Sequence, residues 1–150
     1  SPGNIFLLNL DFVQALKRIV TTYIEKYREE LKESEQGFLR NWPSNANLFG
    51  WVVSMKTGGN LKPHIHKEGW VSGTLYLNVP KVPGANDGNI AFSLQGDDLP
   101  TDGKQFPTDQ VLEVRKGDIC IFPSSLFHYT IPFSSDQERV SFAFDLIPVQ

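Results

Sequence analysis

The chain has 150 residues, enough for one domain with a substantial core. Hydrophobic residues make up 40% and charged residues 21%, the balance of an ordinary soluble globular protein. A net charge of −3 with no basic block argues against nucleic acid or an anionic membrane surface as the main partner.

Phe is frequent, at 11, and turn-forming Gly and Pro number 12 and 10, which leans towards β-structure. The single cysteine excludes an intrachain disulfide framework and fits a reducing, cytoplasmic compartment. No apolar run reaches membrane-spanning length and no signal peptide is visible. The opening Ser1-Pro2-Gly3, without Met, is expected of a processed form or of a domain excised from a longer protein.

In chain order, residues 11–33 carry the one strong helix signal. Phe12, Leu16, Ile19, Val20, Tyr23, Tyr27 and Leu31 recur at spacings of three and four, with Lys17, Arg18, Glu25, Lys26, Glu29, Glu30 and Lys32 on the other face. Asp11 reads as the N-cap and Gln14 completes a capping-box pattern. A helix packed by one face on a sheet is expected. Residues 34–47 read as a loop. Strands are expected at 48–56, 61–66, 70–79, 89–95, 111–115, 118–122, 127–132 and 139–147. Turns fall at Thr57-Gly58-Gly59-Asn60, Pro83–Gly88 and Lys116-Gly117-Asp118. The segments 80–88 and 96–110 are long loops suited to substrate contact or a lid. The second is acidic, which a solvated loop explains as well as a basic partner does. Many short strands between regular turns predict a mainly β sandwich or barrel over about 48–147, one domain with the helix outside.

Chemistry concentrates in two stretches. Pro63-His64-Ile65-His66-Lys67-Glu68 holds two of the three histidines, and His128 lies in the other. Residues two apart on a strand face the same way, so His64 and His66 point together, as do His66 and Glu68. Imidazole and carboxylate suit divalent iron, manganese or zinc. His-x-His is a short motif that ordinary half-exposed strand residues also satisfy, and a lone His128 would read as a core residue. Further on, Arg139 and Ser141 share a face at the start of an apolar strand, and a guanidinium beside a hydroxyl is a good receptor for a carboxylate. A surface arginine at a strand end is the plainer explanation. Cys120 reads as a buried core residue, and Trp70 as packing or as the mouth of a site.

Together the histidine stretch, Ser72-Gly73-Thr74-Leu75-Tyr76, Gly88-Asn89-Ile90-Ala91-Phe92, Phe122-Pro123-Ser124 before His128, and Arg139-Val140-Ser141 resemble the 2-oxoglutarate and iron(II)-dependent oxygenase superfamily. The nearest likeness is to a bacterial and phage oxygenase-like subgroup with His-x-His, Ser-Gly-x-x-Tyr and Phe-Pro-Ser patterns. The resemblance implies a double-stranded β-helix, a jelly roll of the cupin kind, with the N-terminal helix packed outside. It implies iron(II) and 2-oxoglutarate as cofactor and cosubstrate, dioxygen as oxidant, and hydroxylation of an unactivated C–H with release of succinate and carbon dioxide. His128 is the implied distal ligand. The proximal pair is His64 with His66, or His66 with Glu68 in the superfamily's usual His-x-Asp/Glu pattern. Arg139, Ser141 and Tyr76 are the implied contacts of the cosubstrate's far carboxylate, although Tyr76 serves equally as a core aromatic. The primary substrate it implies is a small molecule or a protein side chain. A cupin-like metal enzyme without 2-oxoglutarate shares the three-histidine pattern, and a binding module without turnover shares the barrel.

Overall fold

The computed structural model describes residues 3–81, 86–96 and 108–149. Helix α1 (Asp11–Glu30) is followed by a short α2 (Gly37–Arg40) and by strands β1 (Ala46–Met55), β2 (Val71–Asn78), β3 (Ile90–Ser93), β4 (Gln110–Leu112), β5 (Ile119–Pro123), β6 (Phe127–Thr130) and β7 (Arg139–Pro148). The strands form two antiparallel sheets, ordered β1-β7-β2-β5 and β4-β3-β6. A cavity lined from both sheets lies between them, the arrangement of a jelly roll or double-stranded β-helix. Among the described residues no helix is long and apolar enough to cross a membrane.

β7 organises the molecule. It pairs with β1 from Ala46↔Pro148 to Met55↔Arg139 and with β2 along its other edge. Its side chains alternate. Phe142, Phe144 and Leu146 join Phe6, Val13, Val20, Ile24 and Val71 in the core beneath α1. Arg139, Ser141 and Ala143 face the inter-sheet cavity instead. β2 and β5 follow the same rule, with Leu75, Ile119 and Ile121 on the helix side and Tyr76, Cys120 and Phe122 in the second core cluster. Burying one such side chain fully contributes about 1.5–3 kcal/mol, so both faces of the larger sheet are held by apolar packing.

The helix is turned relative to its expected stripe. Val13, Leu16, Val20, Ile24 and Tyr27 pack inward, whereas Ile19, Tyr23 and Leu31 are exposed and Phe12 is 63% exposed. Apolar residues occupy a wide arc of this helix, and the sheet covers only one side of it. The cap also differs. Leu10 is the N-cap in extended conformation without a side-chain bond, Asp11 is already helical, and Gln14 Nε2 donates to Leu8 O at 3.4 Å. Asp11 still places an acid in the first turn, where the helix dipole favours it.

Within the expected loop 34–47 lies α2, whose Phe38 carbonyl accepts from Trp70 Nε1 at 3.1 Å, so Trp70 packs against this segment. The segment 61–66 is not a full strand. It is tied to β6 by one bridge, His64↔His128, and then crosses to the larger sheet, where His66 N donates to Ser124 O. Residues 82–85 and 97–107, which include most of both long loops, lie outside the described residues.

Candidate metal and cosubstrate site

The bridge between residue 64 and β6 places His64 and His128 side by side, and the crossing segment carries His66 to the same point. The ring centroids are 4.3 Å apart for His64 and His128, 5.0 Å for His66 and His128, and 5.3 Å for His64 and His66. One ligand atom from each lies within 4.8 Å of the other two. Every Nδ1 is already engaged: His64 with Lys62 O at 2.8 Å, His128 with Leu126 O at 3.0 Å, and His66 with Asp145 Oδ1 at 2.7 Å. Carbonyl and carboxylate oxygens only accept, so each Nδ1 carries the proton and each Nε2 keeps its lone pair. Three imidazoles fixed in this tautomer form a donor set suited to a divalent metal. Trp51 and Phe122 flank His66 and His128 at centroid distances of 5.7 Å and 4.6 Å and limit ring motion. His128 is 7% exposed, and burial pushes its pKa down to about 4, which keeps it neutral at pH 7.

Glu68 stands apart from this cluster. Residues 67–68 form a turn, closed by Gly69 N donating to His66 O, so strand alternation stops at His66. The Glu68 side chain is exposed and lines an outer groove with Phe49, Trp51 and Lys67, which His66 and Asp145 also reach, but its carboxylate is not among the ligand atoms that converge with His64 and His128.

The inter-sheet cavity has a volume of about 220 Å³. The three histidines line it, as do Tyr76, Arg139 and Ser141. Arg139 is 3% exposed. Its Nε donates to Gly88 O at 2.9 Å, its guanidinium lies over the Tyr76 ring at 5.1 Å, and no carboxylate among the described residues pairs with it. Burial lowers its pKa while Tyr76 works the other way. Tyr76 is 1% exposed and its hydroxyl has no hydrogen-bond partner among the described residues. The guanidinium is close enough to influence that hydroxyl electrostatically, but it sits over the ring face and makes no bond of normal geometry. A buried guanidinium without an acid and a buried phenol without a partner, in one cavity, are the polar complement of a carboxylate ligand.

Sequence reasoning missed Asp145. It ends a run of even spacings from Arg139 and Ser141 on β7, so its face was readable, but the apolar residues around it hid it. It accepts from His66 and also from Ser72 Oγ at 2.6 Å, and Ser72 Oγ lies 2.8 Å from Ser124 Oγ.

A sequence profile of the family described as "Putative 2OG-Fe(II) oxygenase" matches residues 50–145, from β1 to β7 and across the whole cavity. No curated protein matches the chain. Among solved structures, a prolyl-4-hydroxylase of Pseudomonas putida is similar with a TM-score of 0.52 and 20% identity, covering 69% of this chain and 53% of its own. HygX of Streptomyces hygroscopicus, solved with nickel and 2-oxoglutarate, has a TM-score of 0.53 and 19% identity over 69% of this chain and 58% of its own. An oxidoreductase of the 2OG-Fe(II) oxygenase family from Burkholderia pseudomallei has a TM-score of 0.55 and 12% identity over 94% of this chain and 60% of its own. This chain therefore spans 53–60% of the length of these structures, whose likeness is one of fold. The match over residues 50–145 settles the family: the chain belongs to the 2OG-Fe(II) oxygenases.

Proposed function

We propose that this chain is a single iron(II)- and 2-oxoglutarate-dependent oxygenase domain that hydroxylates an unactivated C–H of a small molecule or a protein side chain. The observation that carries this reading is Arg139, buried without an acid partner among the described residues, beside an unpartnered Tyr76 hydroxyl in the cavity that also holds three converging histidines.

His64, His66 and His128 are the residues that hold the metal, and Glu68, exposed in its turn, is not needed for it. Iron(II) with 2-oxoglutarate supplies the oxidative chemistry, placing one oxygen atom of dioxygen in the substrate and the other in succinate as carbon dioxide leaves. The protein binds and orients. Arg139 takes the far carboxylate of 2-oxoglutarate, and Ser141 and Tyr76 add hydrogen bonds to it. Hydrogen bonds to a charged group contribute roughly 1.5–3 kcal/mol each, so two from Arg139 supply most of the cosubstrate's orientation energy. Val53, Met55, Ile90 and Phe122 wall the cavity and exclude water. A buried, neutral His128 offers its lone pair at pH 7 without first losing a proton. The lone buried Cys120 fits a reducing, cytoplasmic setting. A cupin-like metal enzyme that takes no 2-oxoglutarate would use the same histidines, but it leaves Arg139 and the Tyr76 hydroxyl without a purpose.

Calorimetric titration of 2-oxoglutarate into anaerobic iron-loaded protein tests the reading. Arg139→Ala is expected to weaken binding at least about 100-fold, roughly 3 kcal/mol. Iron retention separates the ligand sets, with loss expected in His64→Ala and none in Glu68→Ala. Loss confined to Glu68→Ala would overturn the three-histidine assignment, and unchanged affinity in Arg139→Ala would overturn the cosubstrate site.

A further inference from the structure

Two motifs remain unused by the metal and cosubstrate reading: Ser72 at the start of β2 and Ser124 just after β5. They meet at Asp145 on β7. Ser72 Oγ donates to Asp145 Oδ1 at 2.6 Å, and the two serine hydroxyls lie 2.8 Å apart. Ser72 has spent its one proton on the carboxylate, so Ser124 donates to Ser72. His66 Nδ1 lies 2.7 Å from the same Asp145 oxygen and 3.1 Å from Ser72 Oγ. The polarity is therefore Ser124 to Ser72 to Asp145, with His66 donating to the carboxylate from the other side. A Cβ on Gly69 would collide with the Ser124 hydroxyl, so the chain closes tightly over this network and keeps that serine aimed.

Charge gives the network a purpose beyond packing. Asp145 is 8% exposed, and no lysine or arginine among the described residues pairs with it; its ring partner, His66, is the neutral Nδ1–H imidazole. A buried carboxylate is costly without a compensating positive charge. Three histidines, in turn, give a divalent metal no anionic protein ligand. Both imbalances are resolved if metal and carboxylate share one imidazole, the metal on Nε2 and the carboxylate on Nδ1–H.

We infer that Asp145 is a positioning residue which, held by Ser72 and Ser124, fixes the His66 tautomer and delivers through that ring the negative charge the three-histidine site lacks. The inference rests on the three-histidine reading, and its test tells the two apart.

Cobalt(II) is titrated into the apo-protein, recording affinity and visible absorption. Failure of the wild type to bind one equivalent, or undiminished binding by His64→Ala and His128→Ala, defeats the metal reading itself. With that reading intact, Asp145→Asn is expected to weaken cobalt 10- to 100-fold and to shift its visible bands. Wild-type affinity and bands in Asp145→Asn would overturn the role of Asp145. His66→Asp sharpens the test, because it puts a carboxylate directly on the metal and beside Asp145. In that background Asp145→Asn is expected to leave cobalt affinity unchanged or to raise it. An equal loss in both backgrounds would mark a merely structural contact and overturn the proposal. If Asp145→Asn does not fold, Ser72→Ala carries the test: it removes a donor from the carboxylate, and the expected result is a shift of the cobalt bands, whereas wild-type bands and affinity would overturn the proposal.

Discussion

Stripped of metal, the protein should lose stability through one histidine as the pH falls. Burial, aided by the neighbouring His64 and His66, lowers His128 from 6.5 to about 4, against smaller opposing effects from Leu126 O and Asp145. In the unfolded chain His128 takes up a proton as the pH passes below 6.5, whereas in the folded chain it stays neutral until about 4. Within that window the unfolded state binds more protons, so stability falls as pH falls. The gap corresponds to about 3 kcal/mol, of which about 2 kcal/mol is already lost at pH 5. Urea unfolding of chelator-treated protein between pH 7.5 and pH 4.5 measures it. His128→Leu removes the titrating group and should flatten the profile by about that amount, leaving the slope the carboxylates share. Parallel profiles for wild type and His128→Leu would show that His128 does not carry the loss.

Tyr76→Phe should separate folding from cosubstrate binding. It removes a buried hydroxyl with no partner among the described residues, so apo stability should hold or rise by about 1 kcal/mol, while 2-oxoglutarate affinity falls several-fold. A marked loss of apo stability in thermal melts would show that the hydroxyl has a structural partner. Phe144→Ala should cost about 3–5 kcal/mol in urea unfolding, because Phe144 is fully buried between α1 and the larger sheet. Gly73→Ala should cost about 1–3 kcal/mol, since its Cβ would meet the Phe144 ring. The two should be strongly non-additive when combined, and simple additivity would contradict the contact.

The strands were legible in the sequence because their signals were local. β2 and β7 alternate with period two and are bounded by turn residues, so Arg139 and Ser141 could be put on one face before the fold was known. What was not legible depended on tertiary partners. The apolar arc of α1 is wider than the surface that covers it, so its buried edge, Val13 and Ile24 rather than Phe12 and Tyr23, is chosen by the sheet. Glu68 satisfied the two-residue rule, but the turn at 67–68 ends the extended backbone on which that rule depends. Asp145, Ser72 and Ser124 are far apart in the chain, and only the β7-β2-β5 order of the larger sheet brings them together.

Turnover of 2-oxoglutarate in this cavity is tested most directly by succinate release from protein supplied with iron(II), 2-oxoglutarate and dioxygen, with ascorbate as the two-electron reductant in place of a primary substrate. The wild type is expected to give succinate and carbon dioxide in equal amounts, and Arg139→Ala to lose at least about 100-fold in kcat/KM for 2-oxoglutarate. Iron-loaded wild type that neither binds 2-oxoglutarate nor releases succinate would contradict it.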